Sequence, residues 1–418
     1  MDIVKRISNS KLAQNSVWLI ALRLFNTVMP ILTLPYVTRI LSASAYGEFS
    51  VALSWITYFQ VIVEYGFGLS GAKKAAVRKD DSELNEVFSN IIYSRSFLFI
   101  CCLCAFLIIV NIVPISETQT ICMGIMFTMV FSLIFQQNWF FQGISEMKHI
   151  TIIGIIGRIV SVVLIFLCVK KPDDIYMYCI LNSFGNILTS VLGVIIVVKK
   201  YKVKLVRYKF SAIISEIKDG WALFVSTAIG SIFGSVGITI LGLVTVSSVV
   251  GVYSAISRIP SVVTILFSAL AQALYPNSCK AFENGFKNGV SSVKKYGTPI
   301  FLFFLICGIG IIVLNKPIVS IAFGKEYATS SLLLVPFMIW QTMGILNNFL
   351  GIQILAASGH QKEYSVSFTI SMIVMLCLMF VLGRMWNAYG VAIASMCSEI
   401  LLTMFLLVYI QKIKRNEV

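Results

Sequence analysis

Long apolar runs separated by short polar segments fill this chain from end to end. A helix that crosses the hydrocarbon of a bilayer needs roughly 20 apolar residues. Twelve runs approach that length: 16–38, 46–70, 88–110, 119–141, 151–169, 176–198, 219–242, 250–275, 298–314, 330–357, 364–383 and 389–410. The pattern predicts an all-α integral membrane protein with twelve transmembrane helices. Its longest water-compatible interruption is KKYKVKLVRYKFSAIISEIK. That stretch predicts a basic cytoplasmic linker at 199–218 between an N-terminal lobe at 1–198 and a C-terminal lobe at 219–418.

The two halves echo each other. Ser44-x-x-Gly47-x-Phe49-Ser50 returns as Ser248-x-x-Gly251-x-Tyr253-Ser254, and Asn85-x-Val87-x-Ser89-x-x-x-Tyr93 returns as Asn288-x-Val290-x-Ser292-x-x-x-Tyr296, at offsets of 204 and 203 residues. A shorter echo sets Gln142-Gly143 against Ser358-Gly359. Six helices per half is an even number, so both halves enter the membrane from one side, as parallel repeats about an axis along its normal. Two such six-helix lobes would enclose a central cavity.

Charge sets the orientation, because loops rich in Lys and Arg stay on the cytoplasmic side. With both termini inside, 23 of the 33 Lys and Arg fall on the cytoplasmic side and six on the other. The net charge of +15 therefore reflects topology. Nucleic acid is not implied, since the basic residues are scattered over many short loops. Composition agrees: 58% of residues are hydrophobic and 12% charged, with a mean hydropathy of +0.90, so lipid must solvate much of the surface. Lys5, Arg6 and Lys11 precede the first run, which continues to about Thr38 past Arg23 with no small-residue cleavage site, and this reads as an uncleaved first helix. Cys101 and Cys104 have CxxC spacing inside a span and read as small packing residues.

Enzymatic signatures are missing from the sequence. There is no GxxxxGK loop and no HExxH, and His149 and His360 are the sole histidines. Neither a catalytic triad nor a zinc site can be assembled from them. The segments between spans are also too short to fold as an enzyme domain. Local features read as structure: Asp80 and Glu83 at capping-box spacing before the third span, Trp and Phe of QQNWFFQGISEMKH as interfacial anchors, and Gly230, Gly234 and Gly237 as a close helix contact.

Charges inside the spans carry the candidate chemistry. Translocon scales put a charge at mid-bilayer at about 2.5 to 3.5 kcal/mol, so such residues should face protein or water. Arg23 shares the first helix with Asn26, Pro30 and Pro35, a polar and bent segment suited to border a cavity. Glu64 is at a similar depth, which leaves an Arg23–Glu64 pair and substrate binding both open. Arg158 shares a face with Gly154 and Ser161, and Arg258 shares one with Ser254 and Ser261. Arg258 has no acidic counterpart at its level, which makes it the candidate cavity cation. Arg95 sits nearer an edge, and Glu399 reads as the partner of some arginine. The excess of arginine over acid points to an anionic substrate, because guanidinium engages phosphate bidentately and stays charged.

The segments NSVWLIALRLFNTVMPILTLPYVTRILSASAYGEFS, EYGFGLSGAKKAAV, NWFFQGISEMKHITIIGIIGR and GVYSAISRIPSV carry a resemblance that covers essentially the whole chain. It resembles the polysaccharide-transport branch of the multidrug/oligosaccharidyl-lipid/polysaccharide exporter superfamily, and within it the O-antigen flippases of the Wzx type. The resemblance implies a MATE-like fold and a flippase that moves an undecaprenyl-pyrophosphate-linked oligosaccharide to the outer leaflet of the bacterial inner membrane by alternating access. It implies that Arg23 and Arg258, with Arg158 as a weaker transfer, engage the pyrophosphate. Asn26, Glu64, Ser254, Ser261 and Glu399 would line the cavity or couple transport to an ion. No cofactor is expected, with proton or sodium coupling left open. The implied partners are the lipid-linked oligosaccharide, membrane lipid, and the polysaccharide polymerase with its chain-length machinery. A cation-coupled drug antiporter of the same superfamily is the alternative, and would depend on Glu64 and Glu399. A membrane-embedded glycan polymerase is a further alternative, disfavoured by the short outer loops.

Overall fold

A computed structural model describes residues 11–207, 210–283 and 285–416. The described chain is helical apart from short connections, with no strand among these residues. Ten of its helical stretches are long and apolar enough to cross a membrane, so this is a multi-pass membrane protein. One of them, Gln361–Asn416, is broken at Trp386 and Asn387, the latter at φ +50°, between the predicted runs 364–383 and 389–410. The predicted run 46–70 falls on the 22-residue helix Ala43–Glu64, which is not among the ten.

That helix also stops earlier than its hydropathy predicts. Tyr65 (φ +46°) and Gly66 (φ +79°) are both left-handed, and a separate helix, Phe67–Ala76, follows. The reason is local crowding. A Cβ at Gly66 would lie 2.8 Å from the Leu223 Cβ, and the Tyr65 ring stacks on Phe224 at 4.5 Å. Glycine meets both demands, since it adopts positive φ without strain and lets another backbone approach.

Contacts group the chain into two compact units, one up to Thr239 and the other from Ile240. In the first, helix Ala43–Glu64 packs on Glu117–Ile134, and helix Met147–Cys168 on Ile175–Lys200. The second pair meets at glycine: a Cβ on Gly157 would lie 2.4 Å from the Thr189 Cγ2 and 2.7 Å from the Gly185 carbonyl oxygen. Helix Asp81–Ile112 starts with the expected box, the Glu83 N–H donating to Asp80 at 2.8 Å and the Lys79 N–H to the Glu83 carboxylate at 2.7 Å. Seven residues of the basic stretch, 201–207, are non-helical. They are tied down where the Lys204 N–H donates to Asn85 and the Val206 N–H to Ser89. Lys74 bridges Glu216 (2.9 Å) and Asp219 (3.2 Å). Burial alone would lower its pKa, but the two carboxylates outweigh that and hold the ammonium above its ordinary value.

The second unit has its own apolar core of Phe267, Phe286, Phe304, Ile345 and Phe349. Helix Leu334–Asn347 continues into a wider π-helical stretch, Asn348–Ala356. There Gln353 bonds Ser278, which also meets the Tyr296 hydroxyl at 2.6 Å. The first repeated motif behaves alike in both units: Ser44 and Ser248 are exposed, and Gly47, Phe49, Ser50 and their counterparts Gly251, Tyr253, Ser254 are buried. Side chains such as Ile100, Ile108, Ile306, Ile373 and Val408 remain exposed on the outside of the units, as lipid contact requires.

Two structural expectations fail. Trp139, Phe140 and Phe141 are not interfacial anchors, because each is at most 1% exposed. Their short helix, Asn138–Gly143, packs on Phe67–Ala76 through glycine, with Gly71 against the Trp139 ring and Gly143 against Ala72 and Ala75. Gly230 and Gly234 make no close helix contact among the described residues either: a Cβ at either position would meet none of their atoms within 4 Å.

Candidate functional site

Helical spacing brings Gly154, Arg158 and Ser161 to one face, and the three line a single cavity of about 170 Å³ in the first unit. Across it stands Asn26 from helix Lys11–Ile40, with Asn182 and Asn186 one turn apart on helix Ile175–Lys200, and Asn138 from the first position of the short helix Asn138–Gly143. The close approach at Gly157 and Gly185 is what lets these two helices share a wall. Ser161 locks it by donating to the Leu181 carbonyl at 2.7 Å. The Arg158 Nε is buried with no hydrogen-bond partner among the described residues. Asn26, Gln136, Asn138, Asn182 and Asn186 supply most of the other polar side chains of the wall, and each amide offers both a donor and an acceptor.

A second cavity, of about 300 Å³, is bounded by Thr57, Gln60, Glu64, Gln136, Thr227 and Ser231. Its acid does not pair with Arg23. The Glu64 carboxylate takes Arg95 at 2.5 Å, and the same guanidinium donates to the carbonyls of Leu133 (3.0 Å) and Gln136 (2.7 Å). Arg95 is 1% exposed, so the guanidinium is held inside the protein. It satisfies carbonyls left open where helix Glu117–Ile134 ends, the position at which a cation is favoured. Glu399 in the second unit likewise pairs with no arginine among the described residues. Asn347 donates to its carboxylate at 2.5 Å, and the Thr403 hydroxyl donates to the Asn347 side-chain Oδ1 at 2.7 Å.

Arg23 and Arg258 are both exposed on their units, and neither guanidinium has an ion-pair partner among the described residues. Arg23 lies between Leu22 and Asn26, which line the Arg158 cavity. Arg258 opens helix Arg258–Phe282. Its expected neighbours diverge: Ser254 is 1% exposed, and the half-buried Ser261 donates to the Ser257 carbonyl. No single face therefore presents all three. Sequence reasoning missed Gln136, Asn138, Asn182 and Asn186. The available signal was an i, i+4 pair of amides inside an apolar run.

A model of the family described as polysaccharide biosynthesis protein matches residues 12–282. A proposed O-antigen transporter of Escherichia coli K12 is 27% identical over 412 residues, covering 96% of this chain and 97% of its own. Its counterpart from Shigella dysenteriae is 24% identical over 91% of this chain and 96% of its own length. Among solved structures, the lipid II flippase MurJ in an inward closed conformation superposes with a TM-score of 0.73 at 14% identity, over 94% of this chain and 87% of that one. An inward-facing multidrug resistance transporter of the MATE family reaches a TM-score of 0.66 at 12% identity, over 94% and 100%. The structural likenesses give the fold: a MATE-like arrangement of helices.

Proposed function

Because the chain belongs to the polysaccharide biosynthesis protein family, we propose that it is a flippase for a lipid-linked oligosaccharide, specifically an undecaprenyl-pyrophosphate-linked O-antigen unit. It is a transporter and performs no bond chemistry. The observation that carries the reading is end-to-end similarity to proposed O-antigen transporters, joined to a flippase-like fold. The physical need is clear, since hydrated sugars and a diphosphate cannot cross hydrocarbon unaided. In this reading the protein sits in the bacterial inner membrane with both termini cytoplasmic. Its two six-helix lobes rock about a central cavity, and the polyprenyl chain stays in lipid. Moving negative charge outward is downhill by about 2.3 kcal/mol per charge per 100 mV.

The site residues follow from charge availability. Arg23 and Arg258, without acidic partners, are free to meet the diphosphate, and Arg158 stands in an amide-lined cavity. The drug-antiporter alternative would need available acids. Glu64 is engaged by Arg95 and Glu399 by Asn347, which favours the flippase.

In cells that depend on this protein for surface O-antigen, Arg258→Ala is expected to cut the polymer reaching the surface by about ten- to a hundredfold, the loss of one charge-assisted contact. Gel profiles of the surface polysaccharide at matched protein levels check it. Wild-type profiles from that variant would remove Arg258 from the site.

A further inference from the structure

The two cavities of the first unit share a wall and differ in charge. Gln136 lines both, and Arg95 holds its main-chain carbonyl in place. In the larger cavity Glu64 is already matched by Arg95. The smaller has one cation, Arg158, and no acid in its lining. Its volume of about 170 Å³ exceeds the roughly 150 Å³ that admits a benzene ring in an engineered protein cavity. It therefore suits one six-membered ring and is too small for an oligosaccharide. Amides of Asn26, Asn138, Asn182 and Asn186 can donate to and accept from ring hydroxyls at several points. A single guanidinium whose Nε lacks a partner matches one negative charge. A diphosphate carries more charge than this wall can balance.

We propose that the Arg158 cavity is a subsite for one carboxylate-bearing sugar of the lipid-linked oligosaccharide, with a neutral neighbouring sugar across Gln136 in the larger cavity. This rests on the flippase reading and deepens it. Arg158 pairs with the sugar carboxylate, the asparagine amides hold the ring hydroxyls, and Gln136 bonds to both sugars in turn.

The test uses the intact protein in liposomes with two synthetic polyprenyl-pyrophosphate disaccharides, identical except that one carries glucuronate where the other carries glucose. At limiting substrate the glucuronate lipid is expected to cross about ten times faster, the effect of one charge-assisted hydrogen bond. The Arg158→Gln variant is expected to bring that ratio to about one. Equal rates in the intact protein would overturn the subsite, and that comparison needs no variant to fold. A variant that slows both lipids with the ratio unchanged would overturn it too, assigning Arg158 to the shared diphosphate. Transport of neither lipid by the intact protein would overturn the flippase reading and the subsite with it.

Discussion

Arg95→Ala is expected to destabilise the first unit by about 3 kcal/mol, at the low end of the 3–5 kcal/mol typical of a broken buried ion pair. The low end applies because the Glu64 side chain is 36% exposed and can be rehydrated once its partner is gone. The carbonyls of Leu133 and Gln136 cannot be rehydrated so readily, and they carry most of the cost. Glu64→Gln should cost less, since an amide oxygen still accepts from the guanidinium. Heating the detergent-solubilised protein and following its monodisperse fraction checks both. An Arg95→Ala variant as heat-resistant as the parent would show that the clamp is dispensable.

Trp139→Ala is the second large effect, expected at about 3–5 kcal/mol for an aromatic side chain removed from a packed interior. The indole is 1% exposed, lies against Gly71, and has Phe88 and Phe140 as ring neighbours at 6.4 and 5.8 Å. Were Trp139 a lipid anchor, its removal would cost little beyond interfacial affinity. Thermal stability in detergent, where there is no bilayer to anchor to, separates the two cases. A loss of several degrees or more supports a buried core, and an unchanged transition contradicts it.

Patterns confined to one helix were readable before the fold was known. Asp80 and Glu83 announced a cap, and Gly154, Arg158 and Ser161 a shared face, because the helical repeat alone determines both. The break at Asn387 was marked by the polar gap between two apolar runs. Choices of partner were not readable. Glu64 had Arg23 at a similar depth, and only the packing of Asp81–Ile112 beside Ala43–Glu64 selects Arg95. Trp139 illustrates the same limit, since an aromatic residue near a helix end looks alike whether it meets headgroups or another helix. Gly230 and Gly234 show the converse, small residues at contact spacing where a Cβ would meet nothing within 4 Å among the described residues. The amide cavity escaped notice because its four asparagines come from two long helices and one short one, far apart in sequence.

The two units share the buried Gly47-Phe49-Ser50 and Gly251-Tyr253-Ser254 motifs but have diverged in their polar interiors. The first unit holds the Arg158 cavity and the Arg95–Glu64 clamp, whereas the second is stitched by neutral groups at Ser278, Gln353 and Asn347 and by the carboxylate of Glu399. In the proposed cycle this asymmetry gives the first unit the recognition of sugars at Arg158, while Arg23 and Arg258 meet the diphosphate.

The most direct measurement is translocation of a polyprenyl-pyrophosphate oligosaccharide from one leaflet to the other in liposomes containing the purified protein, with the lipid scored by access of an impermeant sugar-modifying enzyme. The account predicts protein-dependent exposure of lipid that is otherwise protected, together with its strong reduction in Arg258→Ala. Folded, reconstituted protein that leaves the lipid on its original side would contradict the flippase reading.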